Sequence, residues 1–205
     1  PFGVAALVAG RLFAVDPLAR AGGVVVALSV LGIAFVIANK LRESRVEWTP
    51  MLTRYGLAAA GLAVWALAAL WAWSRGALGP SVTFGAPDTG PLVLAGAIAF
   101  VVLGTIYHII PFLVWVDRYS DKVGLEPVPM VDDLYLDRLA AVDGVAYTGG
   151  VSLVVAGSLA PGFVPSLTTT VGWGLATLGG IVFAANLLVV VVEHGEYSVR
   201  TLVSA

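Results

Sequence analysis

The chain has no cysteine. That removes disulfides, cysteine-ligated zinc, iron–sulfur clusters and thiol nucleophiles together. Histidine is scarce too: His108 and His194 are the only two. A centre built from histidine alone draws at most two ligands from this chain. Charged residues make up 12% of the 205 residues, against about 25% in a soluble domain. The net charge of −2 offers no basic surface for nucleic acid. Lysine is limited to Lys40 and Lys122 beside nine arginines, a bias that points to a high-GC or salt-adapted prokaryote. No basic n-region and no small-residue cleavage site is present, so no signal peptide is expected.

What is present is apolar. Hydrophobic residues are 59% of the chain, and the mean hydropathy is +0.95. Several windows exceed the ~20 apolar residues that cross a bilayer. The expected fold is all-α: one polytopic transmembrane bundle over 1–205, with five full spans and one short or truncated N-terminal helix. The short helix is 3–15, stopped at Asp16-Pro17 and read as continuing from an upstream part. The spans are expected at 21–40, 55–73, 91–116, 139–159 and 170–192. If they alternate, Lys40, Arg42, Arg45, Arg54, Arg118, Lys122, Arg138 and Arg200 share one side, and Arg11, Arg20 and Arg75 the other. The first side is then cytoplasmic. That puts the C-terminus inside and the uncharged turn 161–165 outside, in a prokaryotic plasma membrane. Trp71 and Trp73 are expected at the outer interface. Gly172, Ala176 and Gly180, spaced four apart, predict close helix packing within the bundle, as do Gly149, Gly150 and Gly157. The glycine-rich run 172–180 has no preceding strand and is not a nucleotide loop.

The stretch 91–137 carries the most unusual chemistry. Tyr107, His108 and Pro111 interrupt an apolar run. His108 lies nine residues before Asp117, which counts to ~14 Å of depth. Ionisable groups at that depth usually face the bundle interior. Pro111 cannot donate to the Tyr107 carbonyl, which leaves an acceptor beside the imidazole. Asp143, with Tyr147 one turn deeper, and Asn186 lie at comparable distances from charged helix ends. His108, Asp143, Tyr147 and Asn186 are therefore expected to form one inner polar layer suited to protons or a quinone headgroup. The alternatives are a capping or snorkelling Asp143 and an Asn186 that simply joins helices. His194, between Glu193 and Glu196, reads as a surface residue. A haem held by both histidines is disfavoured, because their depths differ by ~12–15 Å. The segment 117–138 is expected to be an acidic cytoplasmic interfacial loop. From its end onward, Leu134, Tyr135, Leu139 and Val142 continue an amphipathic pattern expected on the membrane surface.

The run Gly104-Thr105-Ile106-Tyr107-His108-Ile109-Ile110-Pro111 resembles the G-x-x-Y-x-x-x-P helix of haem–copper oxidase subunit I relatives. The C-type oxidases and nitric oxide reductases are the nearest in pattern. Pro111 to Trp115, then Val128-Pro129-Met130 and Asp132-Asp133, resemble prokaryotic membrane proteins related to that superfamily. The segment 136–157 echoes their partner segment, so the resemblance covers about 92–157. It implies a bundle like the C-terminal helices of subunit I, in a respiratory membrane, as a membrane-embedded subunit or domain. The family's paired metal-ligand histidines are absent, so no haem or copper ligand carries over. A haem would need ligands from outside this chain, or His108 as a single ligand. The implied partners are the lipid bilayer, other membrane subunits and quinone. A small transporter or channel-like bundle and a purely structural membrane scaffold are the other readings; no internal repeat supports the transporter.

Overall fold

The computed structural model describes residues 1–160 and 162–195. Five of its helices are long and apolar enough to cross a membrane, and a shorter one precedes them. Among the described residues there is no strand. The chain is thus an all-α bundle that fits a multi-pass membrane protein. Arg200, Glu196 and Pro161, used above for orientation and flanking charge, lie outside the described residues.

The short helix α1 (Phe2–Leu12) folds onto α2 (Asp16–Glu43). Gly10 lies against the Ala19 backbone and Gly22 against that of Leu7, so a Cβ at either glycine would collide. Asp16-Pro17 does not lie between two helices; it begins α2. An acid in the first turn and a proline with a preset φ both favour a helix start. The third helix, α3 (Pro50–Arg75), also starts earlier than expected. Thr49 caps it, its hydroxyl accepting from Leu52 N at 3.4 Å, and Pro50 takes the first helical position.

The fourth helix, α4 (Gly90–Lys122), is the longest, with 33 residues. A π-helical turn, Leu94–Ile98, interrupts it near its start. There the Gly96 carbonyl sits where a side chain on Gly61 of α3 would be. The helix continues through Pro111. Helices α5 (Asp137–Leu159) and α6 (Leu167–His194) form a tight hairpin. A Cβ on Gly172 would meet the Gly150 carbonyl oxygen at 2.7 Å. Within-bundle packing therefore explains Gly150, Gly157, Gly172 and Ala176, whereas a Cβ on Gly149 or Gly180 would meet nothing. The seam instead uses Gly179, against Tyr147 and the Asp143 carbonyl.

Helix α4 stands between α3 on one side and the α5–α6 hairpin on the other. At one end of the bundle, the loop after α3 is pinned to Trp65, Trp73 and Arg11. Trp65 donates to the Phe84 carbonyl at 2.7 Å and Trp73 to that of Val82 at 2.8 Å. Arg11 donates to the carbonyls of Ala77, Val82 and Thr83. Trp73 is thus buried against the bundle, while Trp71 is exposed beneath Arg75. At the other end, α4 runs past Asp117, and the chain turns at Gly124 (φ +83) and comes back. Trp115 holds the returning strand-like piece by donating to the Pro129 carbonyl at 2.6 Å. Leu134 and Tyr135 do not lie on a membrane surface; both are buried in a cluster with Tyr107, Phe183 and Leu187.

Candidate functional site

Four helices each send one polar side chain to a single buried point. Arg54 of α3, Tyr107 of α4, Asp143 of α5 and Asn186 of α6 are all 3% exposed or less. Arg54 Nη2 and the Tyr107 hydroxyl each donate to one oxygen of the Asp143 carboxylate. Asn186 Nδ2 donates to the Tyr107 oxygen at 2.9 Å. The Asn186 amide is itself fixed, accepting from Leu136 N at 2.9 Å and donating to Leu136 O at 3.0 Å. With its oxygen occupied by Asn186, the Tyr107 hydroxyl directs its own hydrogen at Asp143. The Arg54 guanidinium also lies 4.4 Å above the Tyr107 ring. Buried charge of this kind is stable only when paired and hydrogen-bonded, and this set meets both conditions.

Of the four residues expected in one polar layer, Asp143 and Asn186 come together through Tyr107, which the sequence marks only as an interruption of its apolar run; His108 and Tyr147 do not join them. His108 is exposed and stacks on Phe112 at 5.9 Å. Tyr107 bonds Asp143, the seventh residue of α5, so His108 sits only ~9 Å from that helix's start. Counting inward from Asp117 overstates the depth, because α4 continues beyond it and the returning segment wraps its flank. Tyr147 turns toward the π-helical turn, donating to the Ala95 carbonyl at 3.4 Å and meeting Phe100 edge-on. Pro111 is buried one turn after Tyr107. His194 is half-buried, with Nδ1 2.9 Å from the Tyr119 hydroxyl. The two histidines belong to separate environments and do not fit a bis-histidine haem. Among the described residues, no three His, Asp or Glu side chains are grouped to hold a metal ion.

Arg54 is the residue that sequence reasoning missed as a site. A span beginning at residue 55 leaves it outside, as a loop cation. The Thr49-Pro50 pair marks a start one turn earlier, and that places Arg54 inside the span.

Two cavities adjoin the network. First, α3 and α5 part to leave a mostly apolar cleft of about 780 Å³, with Arg54 lining it and Trp48, Thr53, Gly144, Thr148 and Gly149 around it. Arg54 has five N–H donors; two hydrogen bonds are formed, to the Pro50 carbonyl at 3.0 Å and to Asp143. Its other donors have no acceptor among the described residues. A second pocket, of about 310 Å³ and sharing Thr49 with the cleft, is lined by Glu47, Tyr107, His108, Asp132 and Tyr135. Tyr135 donates to Asp132 at 3.3 Å. Burial first, then the Asp132 carboxylate, pushes the Tyr135 phenol well above its ordinary range.

No family model, curated protein or solved structure matches the chain.

Proposed function

We propose that this chain is a membrane-embedded subunit or domain in a prokaryotic respiratory membrane, and that its α3–α5 cleft seats a quinone headgroup. The observation that carries the reading is Arg54: 3% exposed, lining an apolar cleft, with N–H donors to spare. A quinone carbonyl is an acceptor that such donors recognise, and the tail follows the apolar wall at Leu57 and Val145 into the bilayer. The similarity to haem–copper oxidase relatives supports the setting. It does not supply a redox centre, and the electron donor belongs to other subunits. Most basic residues gather at the Arg54 end, so the seat lies in the cytoplasmic leaflet.

Trp48, on the cleft and 62% exposed, is an intrinsic reporter. Short-chain quinone added to the full chain in nanodiscs should quench its fluorescence saturably, and the saturable part should vanish in Trp48→Phe. Gly149 faces the cleft with open space around its missing Cβ. Gly149→Leu should therefore remove the saturable phase without lowering the unfolding temperature. Quenching that never saturates, or that is unchanged in Gly149→Leu, rules the seat out.

A further inference from the structure

We propose that an anionic quinone headgroup bound at Arg54 draws one proton onto Asp143, delivered from the acidic pocket through Tyr107. The inference rests on the cleft being a quinone seat and adds what governs it. Arg54 and Asp143 are neutral as a pair, shut away from water. An anion that takes the free side of the same guanidinium leaves two negative charges on one positive charge in a low-dielectric site. The imbalance is removed when the Asp143 carboxylate becomes a carboxyl.

The groups around Asp143 determine where that proton comes from. Arg54 faces it from α3 and has no proton to give at neutral pH. Asn186 of α6 reaches it only through the Tyr107 oxygen. Tyr147, on its own helix, is bonded to Ala95. Asp137 lines the cleft. That leaves Tyr107, which donates to Asp143 and also lines the pocket holding Glu47, His108, Asp132 and Tyr135. The step balances. Tyr107 passes its hydroxyl proton to Asp143 Oδ2 while its oxygen accepts one from the pocket, where His108 and the carboxylates exchange with water. The phenol is restored, and the net change is one proton from solution onto Asp143. Asn186 is a positioning residue: it holds the Tyr107 oxygen so that the hydroxyl keeps its direction.

The test uses the full chain in nanodiscs and two probes, an alkyl-tailed hydroxynaphthoquinone, anionic at neutral pH, and its neutral methoxy analogue. Calorimetry in buffers of different ionisation enthalpy counts the protons taken up. The anionic probe should take up one proton and the methoxy analogue none. Affinity for the anionic probe should fall about tenfold per pH unit between the range where Asp143 titrates in the free protein and the higher range where it titrates in the complex, and level off above that. Infrared difference spectra of the wild-type protein should show a protonated-carboxyl stretch only with the anionic probe, which needs no variant to fold. In Asp143→Asn, binding of that probe should persist with no proton uptake. Anionic binding without uptake, or uptake that survives in Asp143→Asn, overturns the proposal and leaves the quinone seat standing. If neither probe gives saturable Trp48 quenching, both fall.

Discussion

Removing one member of the Arg54–Asp143 pair leaves the other charged, buried and alone. Breaking such a pair costs about 3–5 kcal/mol, whereas replacing both partners with apolar groups of similar volume is often near neutral. Arg54→Met and Asp143→Leu should therefore each lower the unfolding free energy in detergent by that amount. The double variant should come back to within about 1–2 kcal/mol of wild type, the remainder being the acceptor lost to the Tyr107 hydroxyl. Additive single losses in the double-mutant cycle would mean that the two charges are not coupled. Tyr107→Phe should cost about 1–2 kcal/mol, less than either charge removal, because Asn186 keeps both bonds to Leu136. Asp143 and Asn186 were legible in the sequence as polar groups in apolar runs at comparable distances from charged ends, whereas Tyr107 stood out only as an interruption of its apolar run. His108 satisfied the same criterion and faces outward. Spacing names neither the helix end from which depth is to be counted nor the side of the helix that a lone polar residue occupies; both are set by neighbours.

Helix starts and helix seams follow rules that a hydropathy reading blurs. Asp16-Pro17 and Thr49-Pro50 both look like interruptions in an apolar profile, and both are first turns. Proline there loses nothing, because the N–H it lacks has no intrahelical acceptor. The seam of the α5–α6 hairpin shows the related point about period. Residues eight apart on a helix differ by about 80° around its axis, while residues seven apart nearly eclipse. Gly172 and Gly179 thus share the seam and Gly180 leaves it, though a spacing of four picks Gly172, Ala176 and Gly180. The two neighbours should respond with opposite sign. A Cβ on Gly179 would meet Tyr147 N at 2.6 Å, so Gly179→Ala should destabilise by about 1–3 kcal/mol through overpacking. Gly180 faces open space, so Gly180→Ala should be neutral or stabilise by up to about 1 kcal/mol through helix propensity. Thermal unfolding of both variants in the same detergent checks the pair; equal effects would place the seam elsewhere.

At the scale of the molecule, α4 is the axis, and its length explains both the loop and the site. Its 33 residues extend ~50 Å at ~1.5 Å per residue, well beyond a hydrocarbon core of ~30 Å. One end must project, and the projecting end is the one that the returning segment covers through Trp115, Leu134 and Tyr135. The class of fold and the number of spans were legible because hydropathy alone determines them. The wrap was not legible, because 117–138 is polar enough to read as a solvated loop and its few apolar residues as a membrane-facing stripe. The absence of cysteine makes the arrangement directly testable, since any introduced thiol is the only one. Ser81 and Ser120 are both exposed and lie at opposite ends of the bundle, on the loop before α4 and at its far end. In sealed vesicles of known orientation, a membrane-impermeant maleimide should label Ser81→Cys from the outside. It should label Ser120→Cys only after the membrane is opened. Labelling of both from the same side would place the two ends of α4 on one face of the membrane, and with that the Arg54 cleft would lose its place in the inner leaflet.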